Sequence, residues 1–459
     1  MNAVAHGLTR PAALPDESMD PEPPMKNFVR DQSAMFTAGA MALLLCVTAA
    51  PALHAQEEYN EPPPPRGSFV PDSLPTKAYA VPDVPVAAKK KVHLTSDWLV
   101  MKPQLVVLED YTAFAQDAAS IAQVGKQKDQ WESRGFRFLV AGTLGQSYKA
   151  TYLFAVNYNG LNTSYSELWQ WYDVCFGFPL GGPATVLTVG KTKETFLYEM
   201  VGDAANLPQQ ERSLDPFFKA RDVGAKVTHV FGANHTSTLS GGLFNDSWVD
   251  GGGMKSAATD FTLRYTSLAL ERPEHHRSLY LGASLRYQGT PNEIMRFNGR
   301  PQSHVTSYYV DTGPFAADHS WNAGVEALWV EKQFSFLGEY APAGVKAPAS
   351  GDPTLSGCYG AFSWFVTGEQ RPYDHTKGYA RRVAPKAQWG APEVVAQFSH
   401  VDLEDGVIHG GSFDRFGLGM NWWATYGWKL GFDWGHTRLY EGGTTGITNS
   451  FHTRIQWVI

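Results

Sequence analysis

Residues 449–459 read N-S-F-H-T-R-I-Q-W-V-I. From Phe451, every second residue is Phe451, Thr453, Ile455, Trp457 and Ile459, with His452, Arg454, Gln456 and Val458 between them. A period of two describes a β-strand with one apolar and one mostly polar face. In a soluble sheet an uncovered edge strand of this kind invites aggregation. A sheet that closes on itself has no edge, because its last strand pairs with its first. The pattern therefore predicts a closed barrel whose apolar face meets lipid.

Composition agrees. The 459 residues are 43% apolar, 13% aromatic and 18% charged. The mean hydropathy of -0.28 excludes a multi-span helical membrane protein, and the apolar share excludes disorder through most of the length. Forty-four glycines and 14 tryptophans in a mildly polar chain fit a barrel with a lipid-facing band. The formal net charge of -7 shows no basic excess, which argues against nucleic acid as a partner.

The N-terminus carries an export signal. Lys26 and Arg30 precede an apolar run, A-G-A-M-A-L-L-L-C-V-T-A-A (38–50), and Leu53-His54-Ala55 resembles a small-residue cleavage site. The run is short for a membrane span. The signal region is set at residues 1–55, and because residues 1–24 are Pro-rich and acidic, Met25 reads as the true start of the chain. Residues 56–95 form a Pro-rich leader, E-P-P-P-P-R and V-P-D-V-P-V, read as an extended periplasmic spacer. Two cysteines follow, Cys175 and Cys358. Alternation places them on opposite faces of the wall, so no disulfide is expected although the compartment permits one.

Residues 96–459 repeat short alternating segments broken by Gly, Pro, Asn and Asp. In one, Leu279, Leu281, Ala283, Leu285 and Tyr287 alternate with Ser278, Tyr280, Gly282, Ser284 and Arg286. In another, Phe416, Leu418, Met420 and Trp422 alternate with Arg415, Gly417, Gly419 and Asn421. The expectation is an all-β, closed antiparallel transmembrane barrel of about 16 strands, since bacterial barrels have an even number. Trp321, Trp329, Trp422, Trp428 and Trp434 should face lipid. Only Glu199 to Lys219 reads as helix or folded loop, with Pro208 suited to a first turn.

No motif points to catalysis, a metal or a cofactor. Val189-Gly190-Lys191-Thr192 ends like a phosphate loop, but Thr185 stands where the first Gly belongs and no apolar helix follows. His275-His276 reads as a solvated turn. Parity places Arg137, Lys149, Lys226, Arg264, Arg286, Arg415, Lys429 and Arg454 in the lumen. It also places Asp173, Asp222, Asp260, Glu326, Glu339, Glu393 and Asp433 there, a nearly balanced wall.

The most distinctive stretch is Trp364 to Pro385, W-F-V-T-G-E-Q-R-P-Y-D-H-T-K-G-Y-A-R-R-V-A-P. Its strand ends in T-G-E-Q-R-P-Y, and a loop with Arg371, Lys377, Arg381, Arg382 and Lys386 leads to Gln388-Trp389-Gly390-Ala391. With it the chain resembles the phosphate-selective porin family, the O and P porins of Gram-negative outer membranes. Further matching stretches are Phe136 to Tyr158, Val189 to Phe196, Glu211-Arg212-Ser213-Leu214 with Arg221-Asp222-Val223-Gly224, Glu393 to Leu403, and Arg454-Ile455-Gln456.

The resemblance implies a 16-stranded homotrimeric barrel in the cell outer membrane, with loops folded into the lumen and passive conduction of small anionic solutes such as phosphate. Two positions depart from the pattern: the chain ends in Ile459 rather than Phe, and Gln397 stands where Arg is usual. Anion selectivity needs Arg or Lys side chains that replace an oxyanion's water. The pore candidates are Arg371, Lys377, Arg381, Arg382, Lys149, Arg264, Arg286, Arg415 and Lys429. Arg371, Arg381 and Arg382 are expected to add positive potential near a constriction. The alternatives are a secreted β-sandwich that binds glycans and an outer-membrane barrel enzyme.

Overall fold

The strand that ends the sequence pairs with the strand that begins the wall: Val458 lies opposite Val106, and Arg454 opposite Asp110. In the computed structural model the described residues are 94–146, 149–162, 168–232, 235–245, 259–290 and 292–459, all within one unit, 52–459. The signal region with Met25, and the leader up to residue 93, lie outside the described residues.

Among the described residues sixteen antiparallel strands close into a barrel. They are β1 (Leu99–Gln116), β2 (Gln130–Leu144), β3 (Ala150–Tyr158), β4 (Trp169–Pro179), β5 (Thr185–Thr192), β6 (Asp222–Phe231), β7 (Ser237–Asn245) and β8 (Thr259–Arg272). The circuit continues with β9 (Arg277–Gly289), β10 (His319–Glu331), β11 (Phe334–Lys346), β12 (Thr354–Phe365), β13 (Ala391–Asp405), β14 (Ile408–Trp423), β15 (Trp428–Glu441) and β16 (Thr444–Val458). A two-residue strand, Leu94–Thr95, adds to β1. Closure leaves no place for a sandwich. Connections alternate between a near end, where β1 begins and β16 finishes, and a far end.

Side chains alternate as the period of two requires. Trp321, Trp422 and Trp428 are exposed outward, with Phe336, Phe398, Leu418 and Phe432 on the same band. Trp329 and Trp434 point the same way, between buried Leu328 and Val330 and between Asp433 and Gly435. Cys175 is buried on the inner face and Cys358 lies on the outer, both free.

The inner face is less polar than alternation suggests. Leu328, Leu337, Leu355, Val401 and Phe413 point inward and are 0–2% exposed. Here strands are apolar on both faces, as sheets covered on both sides are. The cover is the far-end connection 193–221, whose Phe196, Leu197, Met200, Leu214 and Phe217 are buried in the same cluster. Wall glycines permit the approach: a Cβ on Gly324 would sit 2.5 Å from Leu197 Cδ2, and one on Gly357 2.7 Å from Phe217 Cε2. Connection 290–318 enters from the far end and 366–390 from the near end.

The stretch Glu199 to Lys219, read as helix or folded loop, is a folded loop. A short helix, α2 (Tyr198–Val201), overlaps its start, and 3-10 turns lie at Ala204–Asn206 and Asp215–Phe217, with Pro208 outside all three. Wall carboxylates replace regular hydrogen bonding there. Glu339 accepts from the N–H groups of Tyr198 at 2.5 Å and Glu199 at 2.9 Å. A helix absent from the sequence reading, α1 (Ala118–Val124), is started by Asp117, which accepts from Ser120 N at 2.7 Å. Seven residues are too few to show a helical period.

Candidate functional site

Most lumen cations are sealed into ion pairs. Arg264 donates to both oxygens of Glu326, at 3.0 and 2.6 Å, and to the Gly378 carbonyl. Arg286 bridges Glu194 and Asp260, each at 2.8 Å. Arg415 pairs with Asp433 and donates to Gln302. Arg454 pairs with Asp110 at 2.6 Å and with Glu211. Lys429 lies 5.0 Å over the Trp423 ring and is 1% exposed.

The basic connection divides into two roles. Arg371 is 2% exposed at its side chain, pairs with Glu393, and donates to Ser335 and Ser363 Oγ at 3.1 Å. Arg382 donates to the carbonyls of Tyr426 and Gly427. Both fasten the segment to the wall. Lys377 and Arg381 are exposed, and Arg381 stands 3.5 Å from Asp203 of the facing connection. Lys149 sits in the near-end connection between β2 and β3, not on a strand, so strand parity does not place it. Gln397 points inward and donates to Ser213 Oγ at 2.8 Å, anchoring the 193–221 segment.

The accessible cations gather on one sector, β2 to β6 and the connection beside it. Arg134, Lys193 and Arg221 keep 17–19% of their side chains exposed, against 1–5% for Arg264, Arg286, Arg415 and Arg454. Tyr172 lies at the centre of this sector. Arg137 packs 4.7 Å and Arg221 4.5 Å from its ring centroid, and Arg134 and Arg212 lie within electrostatic reach. Lys226 follows toward the near end, close to Arg221 and Lys377.

Two β-bulges build the sector. On β2, Leu108 faces Gly135 and Glu109 faces Ser133, so Arg134 is an extra residue. On β4, Phe154 faces Val174 and Val156 faces Trp171, so Tyr172 and Asp173 together oppose Ala155. Each bulge turns inward a side chain that strict alternation sends to lipid. Arg134 thereby reaches Glu211 at 2.8 Å.

Six cations that are not buried, Arg134, Arg137, Lys193, Arg212, Arg221 and Lys226, share the sector with three carboxylates that are not buried, Asp203, Glu211 and Asp215, while Glu132, Asp173, Glu194, Glu199 and Asp222 are buried. Among the described residues no carboxylate pairs with Arg137, and its Nε is buried without a partner. Arg212 donates to the Glu199 carbonyl rather than to a carboxylate. Burial pushes the Lys193 ammonium down to about 7, although Asp203 lies 3.8 Å away. Forked guanidinium groups beside water suit oxyanions. A separate acidic knot, Glu194, Asp222 and Asp260, already holds Arg286 and Lys219, the latter 3.3 Å from Asp260.

Sequence parity found Arg137 and Lys226 but not Arg134 or Tyr172, because a bulge cannot be counted from alternation. Arg212, Arg221 and Lys193 lie outside regular strands. The stretches E-R-S-L and R-D-V-G contained two of them, but nothing in their spacing gave a direction.

A model of the family described as phosphate-selective porin O and P matches residues 108–458. No curated protein matches the sequence. Among solved structures, the outer membrane channel DcaP of Acinetobacter baumannii is similar with a TM-score of 0.50 at 10% identity, over 80% of this chain and 99% of that one. OprB of Pseudomonas putida, at high pH, gives 0.50 at 8% identity, over 79% and 94%. These likenesses concern the fold.

Proposed function

The chain belongs to the family of phosphate-selective porins O and P, and from that premise we propose that it is a passive channel for small anions, phosphate among them. Family and barrel together make it an outer-membrane porin. The preference for anions rests on one observation: on the β2–β6 sector and the connection beside it, the lumen cations that are not buried outnumber the carboxylates that are not buried. An ion passing between that wall and the 193–221 segment moves in low dielectric, where each charge acts more strongly than in bulk water. The guanidinium groups of Arg137, Arg212 and Arg221 then replace part of an anion's hydration. Lys377 and Arg381 extend the path toward the near end, while Arg264, Arg286, Arg371, Arg382, Arg415 and Lys429 brace the wall and its inserted segments.

Assembly as a homotrimer belongs to the same reading. On β5, β6 and β7 the outward Val189, Val227, Leu239 and Leu243 are exposed, an apolar face that further copies of the chain can cover.

The zero-current potential of the purified protein in planar bilayers, under a KCl gradient, tests the proposal. A potential on the anion side is expected. A potential on the cation side overturns it.

A further inference from the structure

A cavity of about 300 Å3 opens at the far end among β2, β3, β4 and connection 290–318. Its lining includes Arg134, Asn157, Asn159, Gln170, Tyr172 and His304. The volume falls at the lower end of small-molecule sites, roughly 300–1,000 Å3. Its cationic side is the sector already described. Its other side is built differently, from the amides of Asn157, Asn159 and Gln170.

Asn157 is 5% exposed, and its Nδ2 donates to Asn159 Oδ1 at 2.5 Å. With that bond made, Asn157 Oδ1 is buried without a partner. Behind the lining, Glu132 bonds His304 Nδ1 at 2.5 Å and holds that ring in place. Gln170 points inward beside Asn157 with its side chain open. Buried acceptors are ordinarily satisfied. Chloride or a simple carboxylate brings only acceptors of its own and leaves the Asn157 oxygen unmet. A solute that also carries hydroxyl groups donates to the amides while its charge lies against Arg134.

We propose that this cavity is a binding subsite for polyhydroxylated organic anions, the chemistry shared by sugar acids and sugar phosphates. The inference rests on the anion-channel reading and narrows its solute class. In it, Asn157 and Gln170 accept from hydroxyls, Arg134 holds the carboxylate or phosphate, and Tyr172 keeps Arg137 and Arg221 in place by stacking.

Block of chloride current in planar bilayers tests this, with D-gluconate compared with hexanoate, an anion of the same carbon count without hydroxyls. Half-block by gluconate is expected at a concentration about tenfold below that for hexanoate, the scale of one or two net hydrogen bonds. Asn157→Leu should shrink the gap to about twofold. Gln170→Leu, at an exposed side chain, gives the same comparison if the first variant does not assemble. Equal block by both anions in the unaltered protein, with an anion-side zero-current potential, overturns the subsite and spares the channel reading. A gap that persists in the variants overturns the assignment to this cavity. A cation-side potential overturns both.

Discussion

Arg137 and Arg134 lie three residues apart on one strand and reach the lumen by different routes. Arg137 follows the alternation of β2 and was legible from sequence. Arg134 owes its direction to the bulge opposite Leu108 and Glu109. Tyr172 owes its direction to the bulge on β4 in the same way, so the centre of the candidate site was hidden while its neighbours were visible. Lys193 makes a further test at this scale. Its ammonium, lowered to about 7 by burial, is charged below that pH and neutral above it. Anion preference should therefore weaken as pH rises from about 6 to 8.5; a single charge about 6 Å from the ion at an effective dielectric near 20 is worth roughly 3 kcal/mol before screening. Bilayer recordings across that range check it. Lys193→Arg, which stays charged, should flatten the profile.

At the level of elements, alternation predicted the outer face well because lipid enforces it at every second residue. Leu418 is 45% exposed on that face. Leu418→Arg should cost roughly 2–4 kcal/mol if it lies near the midplane, read as loss of the heat-modifiable folded band on a gel. Thr228→Lys on the lumen side of β6 should fold near the level of the unaltered chain. Gly419 is a poor lumen control, since an added Cβ would lie 2.9 Å from the Phe432 carbonyl oxygen. The inserted segments were legible as long connections but not as packed structure. Arg371 and Arg382 show why: sequence gives their charge, whereas Glu393 and the Tyr426 and Gly427 carbonyls that absorb it come from other strands and turns. Of the basic connection, Arg381 retains exposure. Arg381→Glu should move the zero-current potential toward cations at low salt, with the shift fading as salt screens it. Arg382→Glu should instead impair folding.

For the molecule as a whole, the closing strand contained the architecture. The period from Phe451 to Ile459 implied a sheet without edges, and Arg454 opposite Asp110 completes it. Export should leave a mature chain beginning at or near Gln56, and N-terminal sequencing of protein from outer membranes should find that start. Retention of residues 34–55 would contradict the signal-peptide reading. The central claim is that anions pass along the β2–β6 sector, drawn by cations that the inserted segments leave uncovered. Its most direct test is the zero-current potential of Arg137→Glu beside that of the unaltered protein, in the same dilute KCl gradient. A charge reversal about 6 Å from a passing ion, at an effective dielectric near 20, is worth roughly 5–6 kcal/mol before screening. The account predicts an anion-side potential for the unaltered protein and loss of that preference in the variant. An unchanged potential in a folded, conducting variant would contradict it.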